Sequence, residues 1–172
     1  MIRILGIDPG LAQTGYGVIE VEGDHFHHIY HGSFTTSPQT SSGMRLKVIY
    51  DGIIRVINTY KPDEAGVESL FFAKNITSAL PVAQARGVIL LALAKKNIPA
   101  AEYAPPEIKQ AIVGTGRAEK NQVQELVRFL LGLKEIPQPD HAADALAAAI
   151  CHYNNFSKRK LMEPKERRCS TV

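Results

Sequence analysis

The period of the apolar positions changes near residue 43, and the change separates a strand-rich beginning from a helix-rich remainder. Residues 2 to 8 (Ile-Arg-Ile-Leu-Gly-Ile-Asp) and 15 to 22 (Gly-Tyr-Gly-Val-Ile-Glu-Val-Glu) are short and β-branched, and a loop opening with Asp8-Pro9-Gly10 lies between them. They predict two strands. A third is predicted over 25–34, where aromatic and β-branched side chains mix with histidines, and the three predict an antiparallel meander. From 43 to 60, Met44, Leu46, Val48, Ile49, Ile53, Ile54, Val56 and Ile57 recur at helical spacing up to the Lys61-Pro62 break. A short strand at 64–69, a long helix at 75–96 with Pro81 near its beginning, and a strand at 99–103 follow. Helices are then expected at 106–113, 119–132 and 139–153. A meander followed by alternating helices and strands predicts an α/β fold, a five-stranded mixed sheet covered by helices on both faces.

Length sharpens the domain picture. A chain of 172 residues suits one domain, over 1–156. The segment 157–172 has no apolar periodicity and reads as a basic, mobile tail. It holds Lys158, Arg159, Lys160, Lys165, Arg167 and Arg168 against Glu163 and Glu166, so the body before it is slightly acidic although the whole chain carries +3. The body would become basic only if its acids held divalent cations.

Other classes drop out. The longest strongly apolar run, Val88 to Ala94, is far short of the roughly 20 residues a membrane span needs. The N-terminus has neither the apolar length nor the cleavage site of a signal peptide. Two cysteines, Cys151 and Cys169, do not make a disulfide framework, so a cytoplasmic, reducing location is expected.

Four residues stand out as charged or metal-capable groups among apolar neighbours, where an uncompensated charge is costly. Side chains alternate along the first strand, so Ile2, Ile4, Gly6 and Asp8 share a face and Asp8 sits at the strand end. Taken alone, Asp8-Pro9-Gly10 is also simply a good turn sequence. Glu68 likewise ends a predicted strand, and alone it reads equally as a solvated edge residue. His141 and Asp144 lie three apart on a helix otherwise rich in Ala and Leu, hence on one face with Cβ atoms about 5 to 6 Å apart. Asp140 and His141 fit helix capping as well, but capping does not explain Asp144. Carboxylates converging from two strand ends and a helix suit a hard cation such as Mg²⁺. Two such ions can drive an in-line phosphoryl displacement, which makes phosphodiester hydrolysis the natural reaction.

These segments carry a resemblance. Gly6-Ile7-Asp8-Pro9-Gly10 with Thr14-Gly15-Tyr16-Gly17-Val18, Val67-Glu68 with Phe71-Phe72-Ala73-Lys74-Asn75, Gln84-Ala85-Arg86-Gly87, and His141-Ala142-Ala143-Asp144-Ala145-Leu146-Ala147 resemble the bacterial RuvC family of Holliday junction resolvases, over roughly residues 2 to 153. The resemblance implies an RNase H-like fold. It also implies an endonuclease of recombination and repair that nicks two strands of a four-way DNA junction symmetrically, leaving 5′-phosphate and 3′-hydroxyl ends. The family's metal-binding and catalytic positions fall on Asp8, Glu68, His141 and Asp144, with Mg²⁺ as cofactor, Mn²⁺ as a substitute, and two ions per subunit. Many members carry Asp where His141 stands, and Asp140 lies immediately before it, so the register is open by one residue. An imidazole there serves either as a neutral ligand or as an acid.

The resemblance further places Lys109 and Lys120 near the scissile phosphate and Phe71 against an unpaired base, with Phe72 beside it. From its own residues, the Gly114-Thr115-Gly116-Arg117 loop offers backbone N–H groups and Arg117 to a phosphate. Each lysine alone is equally an ordinary surface residue. The helix at 75–96 is apolar on more than one side, and the homodimer implied by the family would cover the second face and provide the two sites that symmetric nicking requires. RuvA and RuvB, the branch-migration proteins, are the implied partners. Two other classes compete. An ATP-binding protein of the actin and sugar-kinase type needs a longer chain and a second Gly-rich loop. A non-catalytic junction binder needs bases but has no use for buried acids.

Overall fold

The computed structural model describes residues 1–69 and 76–157. The basic tail expected from residue 157 onward falls, from 158 on, outside the described residues, as do Phe71 and Phe72.

Five strands form one sheet: β1 (Ile2–Asp8), β2 (Gln13–Glu22), β3 (His25–Thr35), β4 (Glu64–Glu68) and β5 (Ala100–Tyr103), in the order β3-β2-β1-β4-β5. The first three pair antiparallel, and β4 and β5 add in parallel to β1. Five helices cover the sheet: α1 (Ser42–Tyr60), α2 (Ile76–Lys95), α3 (Pro105–Val113), α4 (Lys120–Leu130) and α5 (Asp140–His152), the last running into a short π-helical turn at Tyr153–Ser157. Each predicted element is present with ends shifted by no more than two residues. Among the described residues no helix is long and apolar enough to cross a membrane.

Alternation along the strands sorts the core into two layers. Leu5, Ile7, Val18, Ala65 and Val67 point to the side of α1 and α2, where Ile49, Ile53, Ile89 and Leu93 are buried against them. Ile4, Ile19 and Val21 point to the other side, against Leu146 and Ile150 of α5, with α3 and α4 outside. Helix α2 buries Ala85, Ile89, Ala92 and Leu93 and leaves Leu80 and Leu91 largely exposed.

The packing of α5 decides where the chemistry can occur. The buried face of this helix is mostly alanine, and the strands beneath it present glycines. A Cβ at Gly6 would lie 1.8 Å from the Ala145 carbonyl oxygen, and one at Gly15 would lie 1.9 Å from that of His141. Real Cβ atoms do not approach so closely, so only glycine permits the helix to lie on the sheet at this depth. Side chains at the start of α5 thereby come within reach of those at the ends of β1 and β4.

One local feature departs from simple alternation. Tyr30 pairs with Val18 but His28 pairs with Ile19, so Ile29 is an extra residue in β3. The bulge turns His28 and His31 to the same face, where their rings meet at 2.7 Å between Nε2 and Nδ1.

Candidate active site

The site lies where β1 and β4 end side by side. Ile7 pairs with Val67, so Asp8 and Glu68 are the next residues on neighbouring strands. Both strands turn alternate residues toward α5: Ile4, Gly6 and Asp8 from β1, and Glu64, Gly66 and Glu68 from β4. The first two turns of α5 supply the other half. His141 Nδ1 lies 2.6 Å from Asp8 Oδ2, and Asp144 shares a cleft of about 190 Å³ with Glu68, Lys109 and Lys120 over the apolar floor of Ile108 and Val123.

Electrostatics mark the cluster as unbalanced. The Glu68 carboxyl is pushed up to about 8, first by burial and then by the negative charges of Asp8 and Asp144, with a hydrogen bond to Asp8 adding to the effect. Asp144 is also raised, chiefly by burial, with the Lys120 ammonium opposing the shift. The bond to Asp8 raises the His141 imidazole despite the burial that works against its charge. Lys120 Nζ sits 3.0 Å from Asp140 Oδ2 and 3.3 Å from Asp144 Oδ2, and these contacts hold its charge on against burial. Its ammonium bridges Asp144 of the cleft to Asp140 outside it.

Among the described residues no three histidine, cysteine or acidic side chains are gathered closely enough to grip a metal ion as they stand. The partners explain why. Asp8 is turned to His141 and Asp144 to Lys120, so two of the three carboxylates face cationic or hydrogen-bonding groups of the protein itself. The donor chemistry still fits a hard divalent cation, because three carboxylates and an imidazole converge on one end of the sheet, where burial and then the charges of Asp8 and Asp144 make Glu68 resist ionising.

Asp8, Glu68, His141 and Asp144 are thus brought together from residues up to 136 positions apart. Asp140 is not among them. Its side chain is 57% exposed and bonds outward to Lys120 and to Gln124 Nε2, whereas His141, one residue later, faces Asp8. Lys109 and Lys120 both line the cleft. Arg117 is exposed and its described contact is its own backbone N–H donating to Thr115 Oγ1, while the N-terminus of α4 is capped by Glu119 and Gln122. A larger cavity of about 740 Å³ lies between β5, α3 and the π turn, but it is lined by none of the quartet. Sequence reading missed a buried trio, Glu64, His152 and Tyr103; the one signal available was a His at the end of the apolar run Ala147 to Cys151, since Glu64 follows the polar Lys61-Pro62-Asp63.

Comparison with known proteins agrees with this architecture. Residues 4–152 match the family described as Crossover junction endodeoxyribonuclease RuvC. The RuvC of Treponema denticola is 56% identical over 151 residues, covering 88% of this chain and 85% of the relative, and that of Thermotoga maritima is 48% identical over 165 residues, covering 96% and 98%. The structure of Thermus thermophilus RuvC superposes with a TM-score of 0.85 at 35% identity, covering 92% of this chain and 97% of that one. The same protein in complex with a Holliday junction substrate gives 0.84 at 33% identity, covering 92% and 96%. A yeast mitochondrial resolvase at 13% identity and a TM-score of 0.61 shares the fold. The chain belongs to the RuvC family of crossover junction endodeoxyribonucleases.

Proposed function

We propose that this protein resolves four-way DNA junctions by hydrolysing one phosphodiester in each of two strands, using Asp8, Glu68, Asp144 and His141. The observation that carries the reading is the convergence of three carboxylates so crowded that burial and mutual repulsion lift Glu68 to about 8. A fold seldom accumulates that much unfavourable charge without a use for it, and shifts of this size gather at functional sites. The naming of these relatives as crossover junction endonucleases and the junction complex of the Thermus protein support the substrate.

Hydrolysis joins a water oxygen to phosphorus and breaks the bond from phosphorus to O3′, so the 3′ oxygen leaves with a proton and the phosphate stays on the 5′ side. Asp8, Glu68, Asp144 and His141 would hold the Mg²⁺ ions, for which Mn²⁺ can substitute, and two such ions supply activation of water and neutralisation of charge on the phosphate. The protein's own groups do the rest. Lys109 and Lys120 line the cleft and attract the phosphate; Lys120 leaves the carboxylates of Asp140 and Asp144 as the substrate's charge arrives. In the metal-free protein the Asp8 carboxylate fixes the ring of His141 through Nδ1 and favours its protonated form; to ligate an ion the ring would give up that proton. The apolar floor of Ile108 and Val123 excludes water from one side of the cleft, which strengthens each of these interactions.

Symmetric nicking requires two sites related by a two-fold axis. The exposed Leu80 and Leu91 on α2 support a second copy of the chain as the partner there. We place Phe71 and Phe72 among the DNA-contacting residues on the family resemblance, with RuvA and RuvB as partners in the cell. The test is a nicking assay on mobile and immobile four-way junctions with Mg²⁺, Mn²⁺ and EDTA: cleavage in paired strands with either ion and none with EDTA is expected. Junction binding without nicking under every condition would make the protein a binding module instead.

A further inference from the structure

Helix α5 lies antiparallel on β4, and the two elements meet in rungs. At one end His152 Nε2 is 3.1 Å from Glu64 Oε2. In the middle a Cβ on Gly66 would meet the Ala148 carbonyl oxygen at 2.6 Å. At the other end Glu68 and Asp144 share the active-site cleft. Each step of two residues on the strand therefore matches four on the helix. The match is metric: two strand residues rise about 6.6 Å at roughly 3.3 Å each, and four helical residues rise about 6 Å at roughly 1.5 Å each. The same ruler holds on β1, where Gly6 lies under Ala145 and Asp8 faces His141.

A helix lying on such a ruler can slide unless something fixes it. The buried residues of α5 are alanines apart from Leu146, Ile150, Cys151 and His152, and the strands below present glycines, so few large side chains act as stops. The rung at Glu64 is of a different kind. His152 is wholly buried and Glu64 is 3% exposed, and Tyr103 completes the trio with its hydroxyl 3.1 Å from His152 Nδ1. With an ionised Glu64 as acceptor, Nε2–H donates to it and Nδ1 accepts from the tyrosine O–H, so one tautomer satisfies both bonds. Breaking either bond would give up a buried hydrogen bond, a loss of about 0.5–1.5 kcal/mol. Sliding α5 by one residue breaks both.

We propose that Glu64, His152 and Tyr103 are positioning residues that fix the sliding register of α5 on β4, and so set the separation of Asp144 from Glu68 and of His141 from Asp8. The catalytic meaning of that separation rests on the function proposed above; the register itself does not. Tyr103 strengthens the arrangement because it pairs with Glu68 across the β4–β5 ladder while its side chain reaches back to His152, tying the two end rungs together.

The test uses the full-length Glu64→Leu/His152→Leu protein, in which an apolar pair replaces the polar one. Replacing both partners of a buried hydrogen bond by apolar groups of similar shape can be nearly neutral for stability. The expected result is a folded protein with a junction Kd in EDTA within two-fold of wild type and a kcat lower by about 10- to 100-fold, the size of effect a displacement of about 1 Å produces. Its crystal structure should show α5 shifted along β4. Wild-type kcat, or an α5 that has not moved, overturns the proposal. Should the double variant not fold, Tyr103→Phe and Glu64→Gln decide. Tyr103→Phe should lower kcat two- to five-fold, and Glu64→Gln, which keeps an acceptor for Nε2–H, should restore most of what Glu64→Leu loses. Wild-type kcat in Tyr103→Phe overturns the proposal. If the wild-type protein itself cuts no junction, the proposed function fails while the crystallographic shift still decides the register.

Discussion

His141 and Asp8 are 133 residues apart in the chain and 2.6 Å apart in the fold, Nδ1 against Oδ2. The bond raises the imidazole above its ordinary value, so His141 binds a proton more tightly folded than unfolded. Its stabilising contribution is therefore complete below about pH 6.5 and is lost as pH rises through the folded value. Substituting His141→Ala should remove that contribution and lower kcat by about 10²–10³-fold if the ring is a ligand or a proton donor. His141→Asp separates the two roles: a ligand is restored by a carboxylate to within about ten-fold, while a proton donor is not. The pH–rate profiles of both variants read the difference.

Glu68 gives a prediction of the opposite chemical type. Its folded carboxyl titrates at about 8, above the ordinary value of 4.5, so the metal-free protein loses stability as pH rises through that interval and the group ionises among Asp8 and Asp144. Glu68→Gln removes the liability. Its metal-free Tm at pH 8.5 should exceed the wild type's by about 2–8 °C, since each kcal/mol moves Tm by about 2–4 °C in a chain of this size. The two proteins should agree near pH 4. Mg²⁺ should raise the wild-type Tm at pH 8.5 and leave that of Glu68→Gln nearly unchanged. Differential scanning calorimetry at the two pH values with and without Mg²⁺ tests all of these outcomes.

Asp140 and Asp144 both contact Lys120, yet they should behave differently. Asp140 is lowered by its bond to Lys120 and faces solvent, an exposed pair of the kind that contributes little. Asp140→Ala should change junction cleavage by less than about three-fold, and Asp144→Asn should abolish it to below about 10⁻³ of wild type, as expected for loss of a carboxylate that would hold the catalytic ion. Equal losses in the two would return Asp140 to the site.

Gly15 should couple stability to activity. A methyl group there would overlap the His141 carbonyl, so the start of α5 must lift away from β2. Gly15→Ala should cost about 1–3 kcal/mol, the usual penalty for overpacking, and should also lower cleavage by more than ten-fold because His141 moves with the backbone. Gly23→Ala offers the control. Its neighbourhood is open, and although φ is +61° there, the residue lies in the hairpin turn away from the site, so only stability should fall.

Much of this was legible in the chain. Alternation in Ile2-Arg3-Ile4-Leu5-Gly6-Ile7-Asp8 placed Asp8 on one face at a strand end, and the structure puts that face under α5. The three-residue spacing of His141 and Asp144 placed both on one face of α5, and both face the cleft side. What periodicity could not supply was depth. That Gly6, Gly15 and Gly66 exist to admit an alanine-rich helix is a pairing between distant segments, with no local signature. The extra residue at Ile29 is hidden for the same reason, because a bulge is defined by its partner strand. The pairing of Glu64 with His152 has no signature in either sequence neighbourhood, since neither mentions the other. The contrast between Asp140 and His141 also needed three dimensions: on a helical wheel both share the face of Asp144, and only the position of β1 separates them.

The central claim is that the acid cluster at the ends of β1 and β4 and the start of α5 hydrolyses DNA at four-way junctions. It is tested most directly by single-turnover cleavage of a 5′-labelled junction by wild-type and Asp8→Asn protein, with Mg²⁺ and with EDTA, and with the product ends identified. The account predicts paired nicks bearing 5′-phosphate and 3′-hydroxyl ends with wild type and Mg²⁺, no cleavage with EDTA, and a junction still bound but uncut by Asp8→Asn. Cleavage by Asp8→Asn at the wild-type rate would contradict it.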